Sequence, residues 1–545
     1  MHIRISLLLA LFPLSGLLGQ GAFFPLSRGM EQTIDPILHS PGNGVHTSFK
    51  PLLNRDVLSA AEGHLDSSSL AQQGTGIDSL LLSSFPVPKS RFDSRWAGRH
   101  LRFSHLVQLN SDDLYLIGDP VFEFTTGRDG DRQVYTNTRG LRLAGSIGKR
   151  FGFDASFYEN QSVFPFYLDS AVDQRYIVPG QGRVKNLGEG KFDYAFSTGT
   201  IHYQLNRHFT FAFGQDRNFI GDGYRSLLLS DNSFHYPFVK IVTDVWKVRY
   251  VNLFAELRDI SRGITDDSPF LKKYASMHYL DLEVGKRLNV GIFEAVIWHA
   301  DTVGGARGFD LGYMNPFIFF RPVEFSIGSP DNVLMGLNLR YRITEKHVLY
   351  GQVMLDEFLL SNVRAGNGWW ANKQGIQAGY KGFSLFGIPN LNVQAELNYV
   401  RPYTYQHREK LGTYTHYRAP LAHPLGANFT EGIGFVQYRF GRWQADARLS
   451  IAEVGLDTAG LNFGQDVFQA YNSYVNEYGN RTGQGLKTRV VWGEFNASYV
   501  VNPLYRFTVF AGISSRNESN TQGKRSMLLV QGGLRTNLFN RYYDF

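Results

Sequence analysis

The chain has no cysteine, which removes a disulfide scaffold, a thiol nucleophile and Cys-based metal sites. Charge is also scarce. Charged residues are 19% of the 545 and aromatics 14%, with 43 Phe and 29 Tyr, a balance that suits aromatic rings lining two membrane interfaces. The formal net charge of +7 is modest for this length and, without clustering on one face, gives no case for nucleic-acid binding. Long apolar runs are missing as well. Arg4 precedes Ile5–Leu18, which is too short to span a bilayer and suits a signal-peptide core, with cleavage expected near Gly19–Gly21. Beyond it no run of about eighteen apolar residues occurs, so no transmembrane helix is expected in the mature chain. Catalytic signatures are absent too. There is no G-x-S-x-G, HExxH or EF-hand pattern, and Gly145–Lys149 lacks the P-loop spacing. The 15 His are scattered singly, and a lone His is usually a polar strand residue. No enzyme activity, cofactor or metal is expected.

What is present is alternation. In the stretch running to Glu357, Val333, Met335, Leu337, Leu339 and Tyr341 alternate with Leu334, Gly336, Asn338, Arg340 and Arg342. A polar turn at Thr344–Lys346 follows, and the alternation resumes from Val348. Side chains on a strand point to opposite faces with period two, so each half has one apolar edge and one wet face. Leu391–Tyr399, Trp443–Ile451 and Val491–Tyr499 repeat the pattern with Glu396, Asp446 and Arg448 on the polar parity. Candidates recur from 114–127 to 525–540, about eighteen antiparallel strands in all. Short turns, as at 148–150, 206–207 and 344–346, alternate with long loops, as at 161–192, 217–236, 301–331, 403–429 and 455–485. That asymmetry is expected of a transmembrane antiparallel β-barrel and not of a soluble sandwich or propeller.

The chain therefore divides into a signal peptide (1–20), an N-terminal periplasmic or plug-like segment with short helices (21–113) and a barrel (114–545). Helices are expected at Asn54–Gly63 and Ile77–Leu82. At the other end, Phe539, Tyr543 and Phe545 share one parity, resembling the C-terminal signal of outer-membrane barrels.

Two stretches stand out, FGQDRNFIGDGYRSLLLSDNSFHYP (213–237) and MNPFIFFRPVEFSIGSPDNVLMGL (314–337). With the barrel plan they resemble the capsule-assembly Wzi family, most closely its Bacteroidetes relatives, the gliding-motility protein RemB. The resemblance covers most of 110–545. It implies an eighteen-stranded outer-membrane barrel of a Gram-negative bacterium with short N-terminal helices at the periplasmic end. It further implies extracellular long loops, periplasmic termini, and a lectin-like or gliding-associated surface role. The long loops 161–192 and 455–485 depart from Wzi.

In those stretches Gln215, Asp216, Arg217, Asp222, Arg225, Asp231 and Asn232 form one polar set, and Arg321, Glu324, Ser329, Asp331 and Asn332 another. Gly214, Gly221 and Gly223 permit tight turns, and Arg217, Arg225, Asp222 and Asp231 are positioned to pair among themselves. Either both loops fold into the barrel and close its lumen through ion pairs, or they line a saccharide or ion path. Polysaccharide binding needs aromatic faces beside polar and cationic groups. Trp369, Trp370, Arg401, Tyr403, Tyr405, Arg408, Lys410, Tyr414, Tyr417 and Arg418 supply both, arginine pairing bidentately with uronate or phosphate. The bland alternative is an interfacial aromatic belt with basic residues facing lipid phosphates. The reading is a monomeric, non-enzymatic barrel whose partners are outer-membrane lipid and surface or capsular polysaccharide, with gliding or secretion machinery a further candidate. The alternative is a porin-like channel for oligosaccharides or ions.

Overall fold

The computed structural model describes residues 23–39, 45–61, 76–86, 93, 95–260, 269–302, 305–317, 322–323, 326, 328, 331–357 and 359–545. The signal-peptide expectation at 1–20 and the candidates Arg321, Glu324 and Ser329 lie outside them.

The described chain forms a closed antiparallel barrel of eighteen strands. The first six are β1 (Leu114–Asp129), β2 (Arg132–Ile147), β3 (Phe151–Val163), β4 (Lys191–Gln204), β5 (Phe209–Asp216) and β6 (Tyr236–Val245). Next come β7 (Val248–Asp259), β8 (Leu271–Val284), β9 (Leu288–His299), β10 (Asn332–Thr344), β11 (His347–Leu355) and β12 (Gln374–Gly382). The last are β13 (Leu391–Val400), β14 (Phe429–Phe440), β15 (Trp443–Leu456), β16 (Leu486–Asn502), β17 (Phe507–Asn520) and β18 (Gly523–Arg535). Closure runs from Leu529 opposite Asp129 to Arg535 opposite Glu123. No described helix is long and apolar enough to cross a membrane.

The apolar parity faces out. Met335, Leu337, Leu339 and Tyr341 are exposed, whereas Asn338 and Arg340 are buried in the lumen. Strands β7–β9 differ, because both faces are largely covered. Val251, Leu253, Ala275, Met277, Ala295 and Ile297 pack inward on Leu227, Leu228 and Leu229 of the loop 217–235. These strands therefore read as near-continuous apolar runs rather than clean alternation. Burying each of the three leucines, all at 0% exposure, contributes about 1.5–3 kcal/mol to holding that loop in the lumen.

The closing seam departs from expectation. Strand β18 stops at Arg535 instead of continuing to residue 540, and residues 536–545 turn into the lumen. Below Glu123 the free edge of β1 is covered by Val107–Asn110, which pairs with Tyr115–Gly118. The alternate aromatics of the tail thus do not form a lipid-facing strand end. Phe539 meets Tyr158 and Phe196, and Arg541 is paired with Glu123, so inward packing and charge pairing outcompete the wall position.

At the short-turn end sit helices α1 (Arg28–Leu38), α2 (Asn54–Ala61), α3 (Gly76–Ser84) and α4 (Trp96–Arg102). The expected helices correspond to α2 and α3. Met30, Ile34 and Leu38 form the buried stripe of α1 and pack with Val57, Leu80, Leu81 and the turn residues Leu504 and Tyr505. Arg249 bridges α2 to the wall through Asp56 (2.7 Å) and Asp244 (2.6 Å). His105 is clamped between Asp119 of β1 (2.7 Å) and Asp78 of α3 (3.2 Å).

Candidate functional site

Four segments converge in the lumen: Val45–Leu53, the loop 217–235, the loop 401–428 and the tail 536–545. Phe49 and Lys50 pair as a short strand with Ile220 and Phe219. Asp222 accepts from Thr47 (2.6 Å) and Asn338 (3.1 Å), with Arg340 at 3.9 Å. Glu396 receives the backbone N–H groups of Tyr224 (2.8 Å) and Arg225 (3.1 Å). The Arg225 guanidinium is fully buried between Glu431 (2.9 Å) and Asp544 (3.1 Å). Arg448 also reaches Asp544, at 3.0 Å. Burial raises the Asp544 carboxyl, but the Arg225 and Arg448 charges outweigh it and hold the group below the ordinary carboxylate value.

The loop thus folds inward, but its charges do not pair among themselves. Asp231 accepts from Tyr542 (2.6 Å) and Asn540 (2.8 Å) of the tail, and Asn232 donates to the Pro420 carbonyl (3.4 Å). Arg217 donates to the Asp231 carbonyl (3.1 Å) and lies over the Phe539 ring. Asp216 accepts only its neighbour's backbone N–H among the described hydrogen bonds, and Gln215 is exposed at the strand end. Two glycines earn their place. Gly221 has φ +146°, and a Cβ on Gly223 would collide with Glu396 Oε2.

The second stretch does the opposite of the first. The described part of the loop after β9 lies on the outer wall, not in the lumen. Tyr313 packs with the outward residues Val296, Trp298 and Val333, and Phe309 meets Tyr274 and Trp298. Ser276 and Asn252, polar groups on the outward parity, donate to the Tyr313 (2.7 Å) and Pro316 (3.2 Å) carbonyls. Asp331 takes a two-pronged Arg307 pair (2.9 Å each) and the Tyr313 hydroxyl (2.6 Å), while Asn332 donates to the Gly412 carbonyl. An uncovered polar group on this apolar outer face is costly, and the strap supplies those partners.

The saccharide candidates separate. Tyr403, Tyr405 and Tyr414 are fully buried. Their hydroxyls donate to the carbonyls of Asn462 (3.0 Å), Leu227 (2.8 Å) and Leu228 (2.7 Å), which places them out of a polymer's reach. They are the pins that hold the loops together. Trp369 and Trp370 are half-buried on the long-loop side. Trp370 stacks on Tyr474 (4.7 Å between centroids, 15°) and leans on Tyr471 (4.8 Å). Arg401 donates to the Asn372 carbonyl (2.7 Å) and to that of Trp369 (3.4 Å). Arg408 and Lys410 are exposed. Burial raises the Tyr471 phenol to about 12, opposed by the nearby Arg408 charge, so it stays a neutral donor. Tyr417 belongs to a separate cluster, stacked on Phe234 (4.5 Å), with Arg418 donating to the Arg175 carbonyl (3.1 Å). Tyr471 and Tyr474 were missed in the sequence, where only the length of loop 455–485 drew notice; their three-residue spacing on a tight turn is the available signal.

No family model matches the sequence, and no curated protein does. Among solved structures, Wzi of Escherichia coli, described as an outer-membrane protein involved in group 1 capsule assembly and a carbohydrate-binding β-barrel, is similar. The TM-score is 0.55 at 14% identity, over 95% of this chain and 100% of that one. OprD of Pseudomonas aeruginosa matches at TM-score 0.41 and 10% identity over 77% and 94%. OpdK of the same organism, solved with vanillate, matches at 0.42 and 10% over 76% and 97%. The likeness to Wzi establishes a Wzi-like barrel fold; the other two overlay too loosely to carry an argument.

Proposed function

We propose that the chain is a non-enzymatic outer-membrane barrel of a Gram-negative cell that holds surface polysaccharide on its long-loop face. In this reading the leader is removed, the N-terminal helices lie periplasmic and the long loops extracellular. The observation that carries it is the half-buried shelf of Trp369, Trp370, Tyr471 and Tyr474 beside Arg401 and Arg408. Aromatic faces pack against the C–H face of a sugar, and the exposed guanidinium of Arg408 pairs with an acidic substituent. Affinity for a polymer then comes from repeated shallow contacts. The inward folding of four segments favours retention over free passage, and the carbohydrate-binding description of Wzi agrees with it. Capsule attachment and a gliding-associated role, the finer readings of the resemblance, would both use this face.

A porin-like channel is the second reading, favoured by the cavity left between the plug and the strands β14–β18. The test is binding of the detergent-purified protein to surface polysaccharide from its own cells. Saturable binding that falls at least about tenfold in Trp370→Ala, roughly 1.4 kcal/mol, supports retention. No binding by the intact protein removes that reading and leaves transport.

A further inference from the structure

A cavity of about 370 Å³ lies in the lumen between α1, the tail and the wall strands β1, β2 and β14–β18. Its size falls in the range of ligand pockets, about 300–1,000 Å³. Its charges do not cancel. Arg28, Lys50, Arg448, Arg506, Arg535 and Arg541 line it against Glu31, Glu123, Asp446 and Glu494. Lys50 is paired with Glu31 (2.6 Å), Arg541 with Glu123 (2.6 Å) and Arg448 with Glu494 and Asp544. Arg28, Arg506 and Arg535 have no carboxylate within ion-pair distance among the described residues. Asp446 accepts from Gln437 and Gln444 and meets no cation at that range.

The three arginines rest on other groups. Arg28 lies over Phe435 (3.9 Å) and Tyr224 (4.3 Å), and Arg535 over Phe510 (4.2 Å). Arg506 donates to Gln444 (3.0 Å) and Thr33 (3.3 Å). Three buried donors on the lining lack any acceptor: Arg28 Nη2, Arg448 Nε and the indole Nε1 of Trp492, a residue 5% exposed. The wall therefore carries more guanidinium charge than its carboxylates balance.

We infer that this cavity binds a small acidic sugar, one or two residues bearing a carboxylate. A guanidinium grips a carboxylate bidentately, and Arg28, Arg506 and Arg535 are the free grips. Gln437, Asn496 and Gln531 add amide groups to the lining, and Trp492 and Tyr167 add aromatic rings, the two kinds of group that a sugar's hydroxyls and C–H face meet. A bare inorganic anion uses the charge and leaves the amides and rings idle. The site shares no residue with the outer shelf, so the two proposals fail separately.

The test is calorimetric titration of the detergent-purified full chain with digalacturonate, glucuronate, glucose and inorganic phosphate. The expected result is binding of both uronates, none of glucose, and phosphate at least tenfold weaker. Arg535→Gln is expected to weaken the uronates at least tenfold with an unchanged melting temperature, and Lys149→Gln, which removes a charge from an exposed turn far from both sites, to leave them unaffected. Should Arg535→Gln fail to fold, Arg28→Gln serves as the reading variant. The inference is overturned if the uronates do not bind, if glucose binds equally, or if phosphate matches them. It is overturned as well if the loss follows Lys149→Gln instead of the arginine variants.

Discussion

The buried tail gives the sharpest test of how the lumen is held. Asp544 is fully buried, bonded to Arg225 (3.1 Å), Arg448 (3.0 Å) and the Tyr224 hydroxyl (3.0 Å). Asp544→Ala removes two hydrogen bonds to a charged group, each worth about 1.5–3 kcal/mol, and the ion pair with Arg448. Part of that is offset, because Arg225 keeps Glu431 and Arg448 keeps Glu494. A net loss of about 3 kcal/mol in tail docking follows, somewhat below the 3–5 kcal/mol typical of stranding a buried charge. That is about a hundredfold rise in the undocked population. The chain has no cysteine, so Phe545→Cys gives a single thiol at the end of the tail. The assay is the rate of maleimide labelling of Phe545→Cys with and without Asp544→Ala. A rise of about two orders of magnitude is expected, with Asp544→Asn in between. Equal rates in all three, or fast labelling of Phe545→Cys alone, would refute the docked tail.

Two other consequences concern the plug and its loop. Burial lowers the His105 pKa, but the hydrogen bonds to Asp119 and Asp78 outweigh it and raise the imidazole to about 9. The unfolded value is about 6.5, so the clamp's contribution, at most roughly 3 kcal/mol, is full below pH 6.5. It falls as pH rises to 9 and is gone above it. Thermal melting of wild type against His105→Gln is expected to differ most at pH 6 and to converge near pH 10; a constant gap would sink the charged clamp. Gly223→Ala forces a Cβ against Glu396 Oε2 and the Arg225 carbonyl and is expected to cost about 1–3 kcal/mol. A melting temperature equal to wild type would show that the loop is not seated there.

Much of the wall was legible in the sequence. Every strand lay within a few residues of an expected one; outside β7–β9, whose apolar runs are near-continuous, the signal was period two, because different surroundings on the two sides of the wall impose opposite polarities on alternate side chains. Arg340, Glu396, Asp446 and Arg448 face inward on the parity that alternation assigns. The helix α1 was not among the expected ones; it contains Gly29 and Pro36, and Met30, Ile34 and Leu38 bury the stripe that holds it.

Local pattern could not say where the loops go. The stretches 213–237 and 314–337 look alike in composition, yet the first fills the lumen and the described part of the second ahead of β10 lies against the outer wall. Their destinations depend on partners hundreds of residues away, such as Glu431 and Asp544 for Arg225, and on polar outward residues such as Asn252 and Ser276 that need covering. The same holds for Tyr403, Tyr405 and Tyr414, which read as sugar-facing until the fold brings backbone carbonyls to their hydroxyls. The sequence alone determined a closed wall, since period-two alternation is a property of each strand by itself. What fills that wall was decided only by the tertiary structure, because a buried charge takes whichever partner the closed barrel brings within reach.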